Sequence, residues 1–382
     1  MQLIHLYIIK FKIMKSKNFI RIRTLLFMLV LSSAMILGSC SKKDSNTPVV
    51  VNKASLTKAI ASADSLSASA TTADYDQADI AAFTTTLASS KTAAAATTLS
   101  QAQSDNLVIS IKSAMTLFKS KAFGFIDDSL YLVAGWKFDE GTGTTATSYS
   151  TAKQVGTFMK GFTTLLGANA AMPTWVDGVK GGKAIYLTNG AHLEVPYSPS
   201  FLPANISISA WIKMDKPGWE NNAIVSQNYW WGYKFQTQSA GYPLFTERIN
   251  ATSVEDFDAG VAVAPKVWNH VAVSLNSVTK TLQFFINGEL VKTFTEKVGA
   301  LTQTLSYTDN AKDPVTGYNF SAQPFLIGAF ATDTELAAKP LTFNWISTAN
   351  IASFEGAIDE LKLYNTALSP GQIKKLYANE KP

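Results

Sequence analysis

The sequence holds one cysteine and three histidines, and its first 39 residues contain no acidic side chain. Each shortage closes off a chemistry. A single cysteine, Cys40, excludes an intrachain disulfide and a cysteine zinc cluster. Only His192 and His270 follow Cys40, and no Gly-x-Ser-x-Gly elbow occurs, so serine–histidine catalysis has little support. Charge of either sign is scarce as well. Six of the 33 lysines and arginines (Lys10, Lys12, Lys15, Lys17, Arg21 and Arg23) fall before Cys40, and the remaining 27 face 28 acids. That near-neutral balance gives no electrostatic case for nucleic acid. The apolar stretch from Leu25 to Leu37 has signal-peptide length and is too short to span a bilayer comfortably.

What is present begins with an address. A basic region, Met14-Lys15-Ser16-Lys17 with Arg21 and Arg23, precedes the apolar stretch, and Leu37-Gly38-Ser39-Cys40 follows it. This arrangement resembles the lipobox of bacterial lipoproteins. The resemblance implies cleavage after residue 39, acylation of Cys40 and a membrane anchor, since each buried CH₂ contributes about 0.8 kcal/mol. Ser41, in place of an aspartate, implies the outer membrane by the enterobacterial sorting pattern. Display at the cell surface and at the periplasmic face both remain open.

Residues 40–53 are polar and read as a tether. From 54 to 122 apolar residues recur at helical spacing: Leu56, Ile60, Ala63 and Leu66, then Ile80, Phe83, Leu87 and Ala94, then Leu107, Ile111, Met115 and Phe118. Three such segments predict a small bundle, with Ser100 capping the third helix. With Tyr75 before the second helix and Ser100-Gln101 before the third, the segment resembles the FIVAR module of bacterial surface proteins.

Beyond Phe125 the period changes to two. Strands are expected at 131–138, 154–161, 184–195, 205–213, 223–228, 232–238, 243–248, 267–276, 281–287, 290–295, 324–329 and 355–364. Asn287-Gly288 marks a tight hairpin. The last strand, 355–364, has Gly356 at its entrance and alternates Ala357, Asp359, Leu361 and Leu363 with Ile358, Glu360, Lys362 and Tyr364. It is expected to return beside 131–138 and relieve the edge problem of an open sheet. Ser369-Pro370 opens a short closing helix. The predicted fold is mainly β: a two-sheet antiparallel jelly-roll sandwich over 128–379 behind a three-helix bundle.

Ordered blocks then become specific. They are Gly135-Trp136-Lys137-Phe138-Asp139-Glu140-Gly141, Gly182–Leu187 with His192–Pro196, Ile206–Lys213, Trp268-Asn269-His270 with Phe285–Leu290, and Phe325–Gly328. Together with the final strand they resemble LamG-like jelly rolls of the concanavalin A-like lectin/glucanase superfamily. Residues 296–323 and 330–353 are longer than that family's usual links.

The resemblance implies glycan or protein binding, and in some relatives glycoside hydrolysis. The glucanases of the superfamily use a Glu-x-Asp-x-x-Glu strand, which puts the carboxylates on one face. No such motif occurs here, and neither Glu255-Asp256-Phe257-Asp258 nor Asp359-Glu360 supplies it. By resemblance, Asp139 and Asp359, with Asn189 as a loop contributor, would hold Ca²⁺. Alternatively, Asp359 bonds backbone amides and Asp139 is solvated. The aromatic group Trp219, Tyr229, Trp230, Trp231 and Tyr233 could stack on sugar rings or pack the sandwich. His270 reads as a packed, hydrogen-bonded residue. The expected function is non-catalytic glycan binding by a surface lipoprotein. A protein–protein scaffold and a divergent glycoside hydrolase are the rivals.

Overall fold

The computed structural model describes residues 51–216, 222–229, 232–250, 253–299, 323–338 and 345–382. The leader and Cys40 lie outside them. Two compact units are present, one formed by 51–70 and 77–121, the other by 71–76 and 122–382.

The first unit is three helices: α1 (Ala54–Ser69), α2 (Gln77–Ala94) and α3 (Gln101–Lys119). Leu56, Ala63, Phe83, Leu87, Ile111 and Phe118 are buried between them. Phe83 stacks on Phe118 with ring centroids 4.5 Å apart. Ser100 caps α3 in a reciprocal box with Gln103, which satisfies backbone groups that a helix start leaves open.

The second unit is a sandwich of two antiparallel sheets. Its elements in chain order are a single-turn helix α4 (Asp128–Tyr131), β1 (Leu132–Trp136), β2 (Thr145–Thr147), β3 (Val155–Met159), a second turn α5 (Thr163–Leu166), β4 (Thr174–Asp177), β5 (Lys183–Leu187), β6 (His192–Val195), β7 (Ile206–Met214) and β8 (Asn222–Gln227). Then come β9 (Tyr233–Gln238), β10 (Tyr242–Asn250), β11 (Ser253–Asp258), β12 (Asn269–Asn276), β13 (Thr281–Ile286), β14 (Glu289–Phe294), β15 (Phe325–Ile327), α6 (Asp333–Ala338), β16 (Gly356–Tyr364) and α7 (Pro370–Glu380). Sheet I runs β14-β13-β12-β7-β16-β5-β4, with β1 also on β16. Sheet II runs β11-β10-β9-β8-β15-β6-β3-β2. One core lies between them, built from alternate residues such as Ile208, Ala210 and Ile212 on β7 and Tyr233 and Phe235 on β9.

The last strand does lie beside the first: Trp136 faces Leu361 in one ladder. It is not an edge strand, however. β16 sits in mid-sheet between β7 and the pair β5 and β1, so β14 and β4 remain as edges. Nor does its alternation run unbroken. The register with β7 shifts between Asp359 and Lys362, and Glu360 takes a φ of 46°. Ile358 and Leu361 therefore both face the core. Such a bulge bends the strand and re-aims its side chains. The expected strand 184–195 is two, broken by a turn at 188–191, and Glu255-Asp256-Phe257-Asp258 belongs to the edge strand β11. The Asn287-Gly288 hairpin forms as expected, with positive φ at both residues.

Candidate functional site

Two places gather polar chemistry. The first is the loop from Asp177 to Lys183, which links β4 to β5 and meets the bulge of β16. Asp359 accepts hydrogen bonds there from Val179 N at 2.8 Å and from Glu360 N at 2.8 Å. Asp139, just beyond β1, accepts from Lys183 N at 3.0 Å. Glycine is required on this loop. A Cβ at Gly178 would meet Asp359 Oδ2 at 2.7 Å and the carbonyls of Gly181 and Lys183 at 2.8 Å, and one at Gly182 would strike Asp139. Three oxygens thus converge where a side chain is missing. Asp359 is 3% exposed. Burial, helped by the charges of Glu360 and Asp139 and opposed by the two amides, pushes its carboxyl up to about 7. Among the described residues no cation pairs with it.

Asn189 is not part of this loop. It follows the far end of β5, where its N–H donates to Glu355 at 2.9 Å. The ladder pairs Ile358 with Ile185, so Asn189 lies beyond the other end of the strand, roughly 16 Å from the Asp359 level at about 3.3 Å per residue. The resemblance had joined three residues, and the register separates one of them. Among the described residues, no group of three or more His, Cys, Asp or Glu side chains could hold a metal ion. A cation here would depend on two carboxylates and backbone carbonyls, a donor set suited to hard ions that take oxygen ligands.

The second place is the outer face of sheet II. Cross-strand register aligns one residue from every strand: Thr145, Thr157, Glu194, Leu326, Ser226, Lys234, Thr246 and Asp256. At about 4.8 Å per strand this row is roughly 33 Å long. Seven of the eight are polar or charged. Tyr229, in the β8–β9 turn with φ 43°, borders the row beside Phe330 and Trp345, with ring centroids 5.5 and 6.2 Å away. Lys234 Nζ lies 4.8 Å from the Tyr229 ring centre and 5.3 Å from that of Phe330, and burial pushes its amine down to about 8. The ends of the row are open, with Thr145, Thr157 and Asp256 exposed. Its middle, from Leu326 to Thr246, is buried.

The expected aromatic group divides here. Tyr233 is fully buried on the inner face, and its hydroxyl donates to the Phe201 carbonyl at 2.9 Å. It is a core residue and not a ligand contact, because alternate residues of β9 point to opposite faces. Tyr229 is buried too, though on the outer side. Trp219, Trp230 and Trp231 lie outside the described residues. The row itself escaped sequence reasoning, since its members come from eight strands and only register aligns them.

The outer face of sheet I is closed by α7. Leu368, Ile373 and Leu376 pack there on Ala272, Phe285 and Tyr364. Beneath the helix, Lys362 Nζ bonds Glu380 at 2.8 Å and Trp211 Nε1 donates to Glu380 at 3.0 Å. Burial opposes the Lys362 charge, but Glu380 and Glu360 hold its amine above the usual lysine range. His270 is fully buried with Nε2 2.8 Å from Ser209 Oγ, and burial and Lys362 push its imidazole down to about 3. It is a packed, neutral histidine.

Comparison with known proteins agrees with this architecture. Residues 187–332 match the Laminin_G_3 model of the concanavalin A-like lectin/glucanases superfamily, so the sandwich has a fold shared by glycosidases and non-catalytic binding domains. Among solved structures, the chain is similar to domain 4 of AbnA, a GH43 extracellular arabinanase from Geobacillus stearothermophilus, in complex with arabinotriose. The identity is 18%, covering 64% of this chain and 98% of that one, with a TM-score of 0.45. It is also similar to a botulinum neurotoxin type C structure that concerns cell entry through two ganglioside molecules, at 13% identity over 66% of this chain and 52% of that one (TM-score 0.42). The binding domain of botulinum neurotoxin DC in complex with rat synaptotagmin II matches at 14%, over 67% and 53% (TM-score 0.42). The chain spans about half the length of these toxin chains. No curated protein matches the sequence.

Proposed function

We propose that this protein is a non-catalytic glycan-binding lipoprotein, anchored through Cys40 in the outer membrane at the cell surface, whose sandwich holds carbohydrate on the outer face of sheet II. The observation that carries this reading is the polar row across that face, bordered by Tyr229 and Trp345. A sugar offers hydroxyls to such a row and apolar ring faces to flat aromatics. Trp230 and Trp231 follow Tyr229 directly in the chain, and Trp219 precedes β8. The oxygen cradle of Asp139, Asp359 and the carbonyls of Gly181 and Lys183 fits Ca²⁺, which would supply the positive charge that buried Asp359 lacks.

Affinity electrophoresis through gels containing single soluble polysaccharides tests the reading. The full chain should be retarded by at least one, and Trp230→Ala with Trp231→Ala should restore free migration. Release of reducing sugar from the retarding polysaccharide would make the protein an enzyme instead. Capture of a surface protein with no polysaccharide retention would favour a scaffold.

A further inference from the structure

The polar row of sheet II is covered at its centre by the chain itself. Phe330, Ala331, Ile346 and Ala352 pack against Ala223 and Tyr229 on the outer side of the sheet. These residues come from one excursion. The chain leaves the sheet after Ala329 and returns at Ser353, and those two residues form a β-bridge with each other. Both feet are fixed: Gly328 N donates to Ile224 O at 2.9 Å, and Phe354 N to Gly328 O at 2.8 Å.

The cover fits poorly over what it hides. Ser226 Oγ, in the middle of the row, is buried without a hydrogen-bond partner among the described residues. Glu335, on α6, is 3% exposed, and its carboxylate accepts from Thr332 N, within its own turn, at 2.7 Å. The charged group opposing it from the sheet is Glu194, and His192 Nε2 lies 3.3 Å from Glu194. Lys234 is held under two rings. Burying a hydroxyl without a partner, or a carboxylate away from water, is costly, and Ser226 and Glu335 carry those costs. Two small apolar satellites of the main core hold the cover down, one on Ala223 and Tyr229 and one in which Ile351 and Leu336 pack with Phe162, Leu165 and Leu166. A polar tie to the rest of the sandwich is Asp333, which accepts from Thr164 N at 3.0 Å and from the Thr163 hydroxyl.

We propose that residues 329–338 and 345–352 form a displaceable cover that competes with glycan for the polar row of sheet II, an inference that rests on the glycan-binding reading of that face. Glycan hydroxyls would replace the cover over Ser226 and Lys234, and segments of low local stability are the ones that such a ligand displaces.

The bridge between Ala329 and Ser353 makes a direct test possible. Residues 330–352 are replaced by an Asn-Gly turn, and parent and variant are compared by affinity electrophoresis on the same polysaccharide panel. A variant at least tenfold tighter supports competition. A folded variant that binds equally or more weakly overturns it while leaving glycan binding intact. If neither form is retarded by any polysaccharide, the glycan reading itself falls, and the competition with it. Should the excised form fail to fold, Phe330→Asp in the full chain loosens the cover and carries the same expectation. Hydrogen exchange gives an independent readout in the parent: the retarding polysaccharide should speed exchange of the α6 amides, and slower exchange there would refute displacement.

Discussion

The two outer faces of the sandwich are covered in different ways. On sheet I, α7 lays Ile373 and Leu376 onto Phe285 and Tyr364, and the charges it buries are matched, Lys362 against Glu380 with Trp211 as a third partner. On sheet II, a polar row lies partly under residues of 330–352, and Ser226 Oγ in it is unpartnered among the described residues. The first face is closed by a helix over matched charges, although His270 Nδ1 is buried there without a partner among the described residues. The second is the face to which the proposed glycan site is assigned, because its polar row spans all eight strands.

The strongest predicted change disrupts the face closed by α7. Lys362→Met strands Glu380 as a buried charge and should cost about 3–5 kcal/mol in urea unfolding. Adding Glu380→Leu should recover most of that loss, and a double variant as unstable as the single one would show that the pair is not matched.

Next in size is the pH response at the bulge. Asp359 has its carboxyl raised, so the folded chain keeps a proton that the unfolded chain gives up near pH 4. Its contribution to stability is thus greatest below about pH 4 and falls as pH climbs towards 7. In calcium-free buffer the parent should lose stability over that range relative to Asp359→Asn, by up to about 1.4 kcal/mol per pH unit. At pH 7.5 calcium should raise the melting temperature of the parent and leave Asp359→Ala unmoved. A parent melting curve indifferent to chelator removes the metal assignment.

On the sheet II face, Lys234→Met removes a buried charge from the row. It should lower glycan retention about tenfold and cost less in urea unfolding than Lys362→Met, since burial already lowers the Lys234 amine to about 8 while Glu380 and Glu360 hold that of Lys362 up. Equal losses of stability at both lysines would erase the contrast between the faces. The weakest change belongs to Lys374, on the solvent side of α7, paired with Asp76 and Glu289. Its replacement by Ala should alter stability by no more than about 1 kcal/mol, since partly exposed pairs are screened.

Much of the framework was legible from the chain. Asn287-Gly288 announced its hairpin, Ser369-Pro370 its helix, and the period-two pattern of 355–364 placed that strand beside Trp136. The bulge at Glu360 was not legible, because an unbroken alternation of Asp359, Leu361 and Leu363 reads as one face until register is known. β11 was missed because acidic side chains mask a strand, and charges are what an edge strand carries. Asp139 and Asp359 could be brought together from the family pattern, but Asn189 was misplaced for want of the β5 register. The polar row needs seven registers at once, which no local pattern encodes.

Sheet II, and not sheet I, is the face assigned to the ligand. Hydrogen exchange of the full chain, with and without a polysaccharide that retards it, reads this strand by strand. Slowed exchange on β6, β8 and β9 with α7 unchanged is the predicted result. Slowing confined to α7 and β12–β14, with sheet II unaffected, would contradict it.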